Sequence, residues 1–294
     1  MGDAAHAELL DHEVYQKPFK VEPEFEFFDT PANYRDRHLG DDKLPDKMKV
    51  WRVQNTGKTS GSVVARSYGF TDSPDAEVLA LGFNHGKEYG AVGVGRHGNF
   101  LQWGYSAPPS KMTEAGKKFF INCVCYIKRF DGKAPLVRSR SSHRLDALRL
   151  AALINRIKDK KFFSWSFSSD LMEKYEGDPN GLVQYYKNDF ELIYRDKVFC
   201  IDSELKLLGI NSNRSIGALE RLIGLLQDQA HADAARQLLA RYTNESFGSA
   251  DQWQKWLENN RDRIFFSDVG DYKFFAVPKG YLTQQSPNAG RNTP

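Results

Sequence analysis

Long apolar runs are missing from this 294-residue sequence. No stretch approaches the roughly 18 apolar residues that a membrane helix needs, so no membrane partner is expected. Cysteine is scarce: Cys123, Cys125 and Cys200 make no disulfide framework. Cys123 and Cys125 lie two apart in a segment of helical spacing, where their side chains diverge. No shared metal is expected, and both read as core thiols. Net charge is low as well, +3 at neutral pH, which gives no nucleic-acid footprint. The segment Met1–His6 has neither the basic nor the apolar region of a signal peptide. His6 also stands where the myristoylation pattern requires Ser or Thr. As written, the sequence reads as cytoplasmic; a signal encoded upstream would make the protein an exported one.

What is present is aromatic and apolar. Apolar residues make up 40% and aromatics 13%, with 20 Phe and 13 Tyr, enough to bury a core. The length suits two domains, or one large one. Residues 1–135 carry 18 basic and 18 acidic groups, and the remainder 23 and 20, so the positive excess lies in the second half. From Lys133 to Lys161 nine Lys or Arg face only Asp146 and Asp159. Pro135 and the polar run Arg138–His143 mark a boundary there, and the charges read as a solvated linker entering a basic helix face. The expected organisation is an α/β domain over 1–135, a basic linker over 136–144, a mainly helical domain over 145–283 and a disordered tail over 284–294.

Within the first part, Val21–Phe28 and Lys49–Val53 alternate as half-buried strands do. Val63–Phe70 reads as extended. Glu77–Phe83 and Tyr89–Val94 are apolar runs joined by the tight turn Asn84–Glu88, which predicts an antiparallel hairpin. Thr113 is an N-cap with Glu114 in the first turn. Phe119, Phe120, Cys123, Val124 and Ile127 are the expected inner face of its helix. In the second part, helical spacing covers 142–158, 181–190 and 203–208. Segments 215–226 and 232–242 form a HEAT-like antiparallel pair, and 251–261 a further helix with Trp253, Trp256 and Leu257 inward. Trp165 is expected in the core, and 272–277 as a terminal strand.

The chemistry concentrates in Ala91–Gly104, where an apolar run leads into a glycine-punctuated loop carrying Arg96, His97 and Asn99. Gly93–Gly98 matches G-x-G-x-x-G. A helix opening at its last glycine is required for dinucleotide binding, and Asn99–Trp103 follows instead. Gly57-Lys58-Thr59 echoes the end of a phosphate-binding loop, but Val53 occupies the place of its first glycine. No cofactor is therefore expected. His97 past a strand end has the position of a general base. It lacks a visible nucleophile, since no Gly-x-Cys-x-Gly or Gly-x-Ser-x-Gly elbow occurs, so a structural role for His97 and Arg96 carries more weight.

Asp72–Glu77, Gly95–Gly104 and Met112–Gly116 with its helix resemble the C-terminal part of ThuA-like domains, named for trehalose utilisation. These belong to the class I glutamine amidotransferase-like superfamily. The resemblance spans about Asp11 to Gly132 and implies a partial flavodoxin-like, three-layer α/β sheet. In amidotransferases the matching loop supplies a catalytic His followed by Pro-Glu. His97 fits the first position, while Gly98 and Asn99 replace the other two, so the acid of that motif is missing. The half bearing the nucleophile elbow does not lie within this sequence. Relatives of this layout are often exported bacterial proteins. Two functions follow as expectations. One is a non-catalytic binding or assembly module whose partner is a carbohydrate or another protein, with His97, Arg96, Asn99, Trp103 and Tyr105 toward the ligand. The other is an amidotransferase-like hydrolase with His97 as its base. A half sheet also exposes a strand edge, which predicts a homo-oligomer or poor solubility.

Overall fold

The computed structural model describes residues 2–38, 43–57, 64–138, 140–154, 157 and 160–281. Lys58 and Thr59, and the expected tail over 284–294, lie outside them. The chain divides into two compact units, one up to Leu136 and one from Val137. The first is α/β and the second mainly helical.

The first unit is built on two antiparallel three-stranded sheets. One has the order β1–β3–β2, from β1 (Ala4–His6), β2 (Phe25–Asp29) and β3 (Lys47–Arg52). The other runs β4–β5–β6, from β4 (Ala76–Leu81), β5 (Val92–His97) and β6 (Phe100–Trp103). A bridge between Ala5 and Gly82 links them. The β4–β5 hairpin is the one expected from the sequence. Short helices α1 (Ala32–Arg37) and α2 (Tyr68–Thr71) lie between strands, and α3 (Glu114–Ile127) follows them. Of the extended segment expected over 63–70, the described residues 64–70 bridge at Ala65, opposite Val92, and turn into α2.

Strand alternation divides the core between two faces. Ala5, Trp51, Leu79 and Val94 pack under α3 with Phe119, Cys123 and Tyr126. Ala4, Val50 and Phe83 pack instead with Tyr34 of α1. Thr113 caps α3 by accepting from the Gly116 N–H at 2.9 Å. Gly116 has no side chain because none fits: a Cβ there would stand 1.9 Å from the Val53 carbonyl oxygen. The inner face of α3 is Gly116, Phe119, Asn122, Cys123 and Tyr126. Val124 and Cys125, expected inside, are exposed. Asn122 and Tyr126 displace them because each finds a partner: Asn122 bonds the Val14 and Phe19 carbonyls, and Tyr126 bonds Glu77.

The second unit contains α4 (Arg144–Leu153), α5 (Ser169–Lys174), α6 (Pro179–Asn188), β7 (Ile193–Arg195), β8 (Phe199–Ile201), α7 (Ser203–Leu207), α8 (Ile216–Leu225), α9 (Ala232–Tyr242), α10 (Ala250–Asn260), β9 (Ile264–Ser267) and β10 (Lys273–Ala276). The helix pair α8–α9 stands where the apolar spacing put it, and Leu219, Leu222, Leu238, Trp253 and Leu257 share one core. A second core joins α4 and α6 to β7 and β8 through Ala147, Leu182, Tyr186 and Phe199. Trp165 is not in it. The ring is 45% exposed, with the Arg195 guanidinium 5.2 Å from its centre.

The expected basic linker ends in a core residue. Arg144 is fully buried and forks onto Asp268 through two bonds of 2.7 Å, with further bonds to Asn213 and the Phe190 carbonyl. Its charge is paired inside the fold rather than solvated.

Candidate functional site

The glycine-punctuated stretch is strand, not loop. β5 runs through Gly93, Gly95, Arg96 and His97, and β6 returns after a two-residue turn, Gly98–Asn99. Gly98 takes φ +56, the left-handed backbone that a tight hairpin needs at its first turn position. Gly93 and Gly95 serve packing: a Cβ on Gly95 would meet the Phe70 ring at 2.5 Å, and one on Gly93 the Tyr105 hydroxyl at 3.1 Å. Neither is placed to cradle a phosphate, because no helix opens at Gly98.

Pairing of β4 with β5 brings together two motifs that are separate in sequence. Ala76 lies opposite His97 and Glu77 opposite Arg96. The acidic turn before β4 thus reaches the tip of β5. Asp75 is completely buried, and its Oδ1 lies 3.4 Å from His97 Nε2. Ser73 donates its hydroxyl to Asp75 Oδ1 at 2.6 Å, and the Leu136 N–H donates to Oδ2 at 2.9 Å. Burial by itself would raise the Asp75 pKa. The contacts from His97, Ser73 and Leu136 outweigh it and bring the carboxyl down to about 2. The segment Lys133–Pro135 lies close over the turn, where a Cβ on Gly98 would stand 2.6 Å from the Lys133 carbonyl.

His97 itself is a quarter exposed. Phe100 is directly opposite it across the hairpin and 67% exposed. Partners on facing strands have Cβ atoms about 5 Å apart, so an open aromatic face stands beside the imidazole.

Of the remaining expected site residues only Asn99, in the turn between His97 and Phe100, lies there. Arg96 is 1% exposed; it bonds Glu77 Oε1 at 2.7 Å and the Gly98 carbonyl at 2.9 Å, and its guanidinium lies 3.8 Å from the Phe130 ring centre. Glu77 also accepts from Tyr126, and His12 Nε2 lies 3.8 Å from it. Arg96 is therefore a buried brace between β4, the β5–β6 turn and Phe130 just beyond α3. Trp103 packs against Phe119 and Phe120 under α3, and Tyr105 is 3% exposed with its hydroxyl on the Ala4 carbonyl. Tyr105, expected toward a sugar, is thus interior, and Trp103 is half-buried with its ring turned onto α3. Asn99 is exposed at the turn.

Sequence reasoning missed Asp75, Ser73 and Phe100. The signal for Asp75 was present in the hairpin, since pairing Glu77–Phe83 against Tyr89–Val94 already carries the acidic turn toward His97.

Cys123 is buried and its thiol pKa is raised by desolvation, which makes it inert. Among the described residues no three His, Cys, Asp or Glu side chains gather as a metal site, and no helix is long and apolar enough to cross a membrane. The chain matches no family model, no curated protein and no solved structure.

Proposed function

We propose that the α/β unit is a ThuA-like binding module without a reaction of its own, offering His97 and Phe100 to a carbohydrate-type ligand. One observation supports the non-catalytic part. The Ser73 hydroxyl, which belongs to the same cluster as His97, gives its proton to Asp75 rather than to the imidazole. A nucleophilic serine needs the opposite arrangement, with its hydroxyl donated to the base. The ligand class rests on Phe100 beside His97. A flat apolar ring next to a polar one suits a sugar, which has an apolar face and a rim of hydroxyls.

The flavodoxin-like, three-layer form of this reading gains from α1 and α3 packing on opposite faces of the strands. The antiparallel pairing of all the named strands counts against it, since flavodoxin-like sheets are mostly parallel.

A second reading is an amidotransferase-like hydrolase in which His97 is the base and the nucleophile comes from outside this chain. It is favoured by Asp75, which stands behind His97 as the orienting carboxylate does behind a catalytic histidine.

Titration of the full chain with glucose, trehalose and a maltooligosaccharide, followed by the His97 ring resonances, tests the first reading. Saturable shifts that vanish in Phe100→Ala are expected. No shift with any sugar at tens of millimolar overturns it. Release of ammonia from glutamine that is lost in His97→Ala would favour the second reading.

A further inference from the structure

The open edge of the first sheet points to a second copy of this chain. β2 is an edge strand, and the hydrogen-bond phase of the sheet shows which of its residues face outward. The Asp46 carbonyl accepts from the Thr30 N–H, and the Lys49 carbonyl accepts from Ala7 on the β1 side. In an antiparallel ladder a residue's N–H and C=O point to the same side and alternate along the strand. Met48 and Val50 therefore bond to Phe28 and Glu26, their register partners. The backbone groups of Phe25, Phe27 and Asp29 are left pointing away from the sheet.

The same three side chains share the face on which Trp51 packs with Phe119 of α3, and Lys49, opposite Phe27 on that face, holds its ammonium 3.9 Å from the Phe25 ring centre. Phe25 is 42% exposed and Phe27 66%. An edge strand with outward backbone groups and two exposed phenylalanines is a template for strand addition. Many edges carry a blocking charge directed into the approaching strand. Here the acid of β2 on the other face, Glu26, is held by Arg52 at 2.6 Å and 3.1 Å.

Charge selects the partner and its register. Consider two copies of β2 meeting antiparallel about a two-fold axis. A register centred on Glu26 sets Glu26 against its own copy and pairs Asp29 with Pro23, which has no N–H to give. A register centred on Phe27 sets Phe27 against Phe27, Phe25 against Asp29 and Glu26 against Phe28. No like charges oppose, and every outward residue meets an outward residue. An aromatic pair sits on the axis, and such cross-strand pairs are favourable. We propose that the chain self-associates through β2 in this register, extending the β1–β3–β2 sheet across a two-fold axis. Pro23 and Pro31 flank the strand and confine the pairing to Phe25–Asp29. So short a contact buries less than the roughly 1,200 Å² of a stable complex, and the dimer is expected to be concentration-dependent.

On the axis, residue 27 faces its own copy, which makes a charge swap decisive. Sedimentation of the full chain across a concentration series should show wild type passing from monomer to dimer. Phe27→Glu alone and Phe27→Lys alone should each remain monomeric, and their equimolar mixture should dimerise again. Wild type that stays monomeric at every concentration overturns the proposal, as does dimerisation of Phe27→Glu alone. A mixture that fails to dimerise while both variants keep wild-type circular dichroism does so too. Should a variant fail to fold, amide exchange of the wild type serves instead: slowing at Phe25 and Phe27 between dilute and concentrated samples is expected, and unchanged exchange overturns the pairing.

Discussion

Asp75 stands completely buried behind a quarter-exposed His97, with Oδ1 3.4 Å from Nε2, and it also holds Ser73 and the backbone of Leu136. One carboxylate thus ties together the turn before β4, the tip of β5 and the segment that leaves the first unit. Replacing it with Asn keeps the shape but removes the charge and one acceptor oxygen. A buried donor left unmatched costs about 1–3 kcal/mol. Asp75→Asn should therefore lower the stability of the chain in urea by that order. Unchanged stability would mean the cluster is not a structural anchor.

The same carboxyl gives an acid dependence of definite sign. Its folded pKa of about 2 lies below the ordinary 3.8, so the folded state binds its proton later than the unfolded state does. The stability this confers is full above pH 3.8 and is lost as pH falls toward 2. The shift is worth about 2 kcal/mol. Comparing wild type with Asp75→Asn between pH 5 and pH 2 should show the wild-type advantage shrinking across that window.

Trp103 and Phe100 separate stability from binding. Trp103→Ala removes a half-buried ring packed on Phe119 and Phe120 and should cost about 1–3 kcal/mol. Phe100→Ala removes an exposed ring and should change stability by no more than about 0.5 kcal/mol, while abolishing any sugar-induced shift at His97. Loss of sugar response in a folded Trp103 variant that retains Phe100 would reverse this assignment.

These contrasts show what the sequence could convey. Periodicity located β2, β3, the β4–β5 hairpin and α3, along with α8 to α10, because alternating or helical spacing of apolar residues reports a buried face directly. It erred where partners decide burial. Arg144 reads as solvated in a basic run, yet Asp268 lies 124 positions away and receives it in the core. Trp165 reads as core, yet Arg195 covers its ring at the surface. Hydropathy favours Val124 over Asn122 for the inner face of α3, whereas two backbone carbonyls hold Asn122 there. Glycines in Gly93–Gly98 suggest a loop, whereas Gly93 and Gly95 make room for Tyr105 and Phe70 within a strand and Gly98 alone serves the turn. The site was half legible: His97 stood out, and its carboxylate required the pairing of β4 with β5.

The Arg144–Asp268 pair should be costly to break from one side. Arg144→Met leaves Asp268, 3% exposed, without its counter-charge, a loss of about 3–5 kcal/mol. The double variant Arg144→Met with Asp268→Leu should recover much of that loss, since neither charge then remains buried. A double variant as unstable as the single one would show that Asn213 and the Phe190 carbonyl, and not the charge pair, govern this part of the core.

Two buried imidazoles make each unit sensitive to mild acid. His6 lies in a stack with Phe83 at 4.2 Å, and its Nε2 is 3.2 Å from the Tyr34 hydroxyl. The Tyr34 O–H is donated to the Gly82 carbonyl, so His6 is the donor in that contact. His143 caps α4, with Nδ1 accepting from the Leu145 N–H and Nε2 3.3 Å from Asp268. Burial lowers both pKa values from 6.5 to about 4; at His143 the nearby Asp268 opposes the shift and Arg144 assists it. Between pH 6.5 and 4 the unfolded chain takes up protons that the folded chain refuses. Stability is therefore complete above pH 6.5, falls as pH drops through that window, and loses nothing further from these groups below about 4. Each contributes roughly 3 kcal/mol. Denaturation midpoints at pH 7, 5.5 and 4.5 should decline steeply in wild type and less so in His143→Asn, which keeps a cap, and in His6→Phe, which keeps the stack. Equal slopes in all three proteins would mean that neither ring is held neutral by burial.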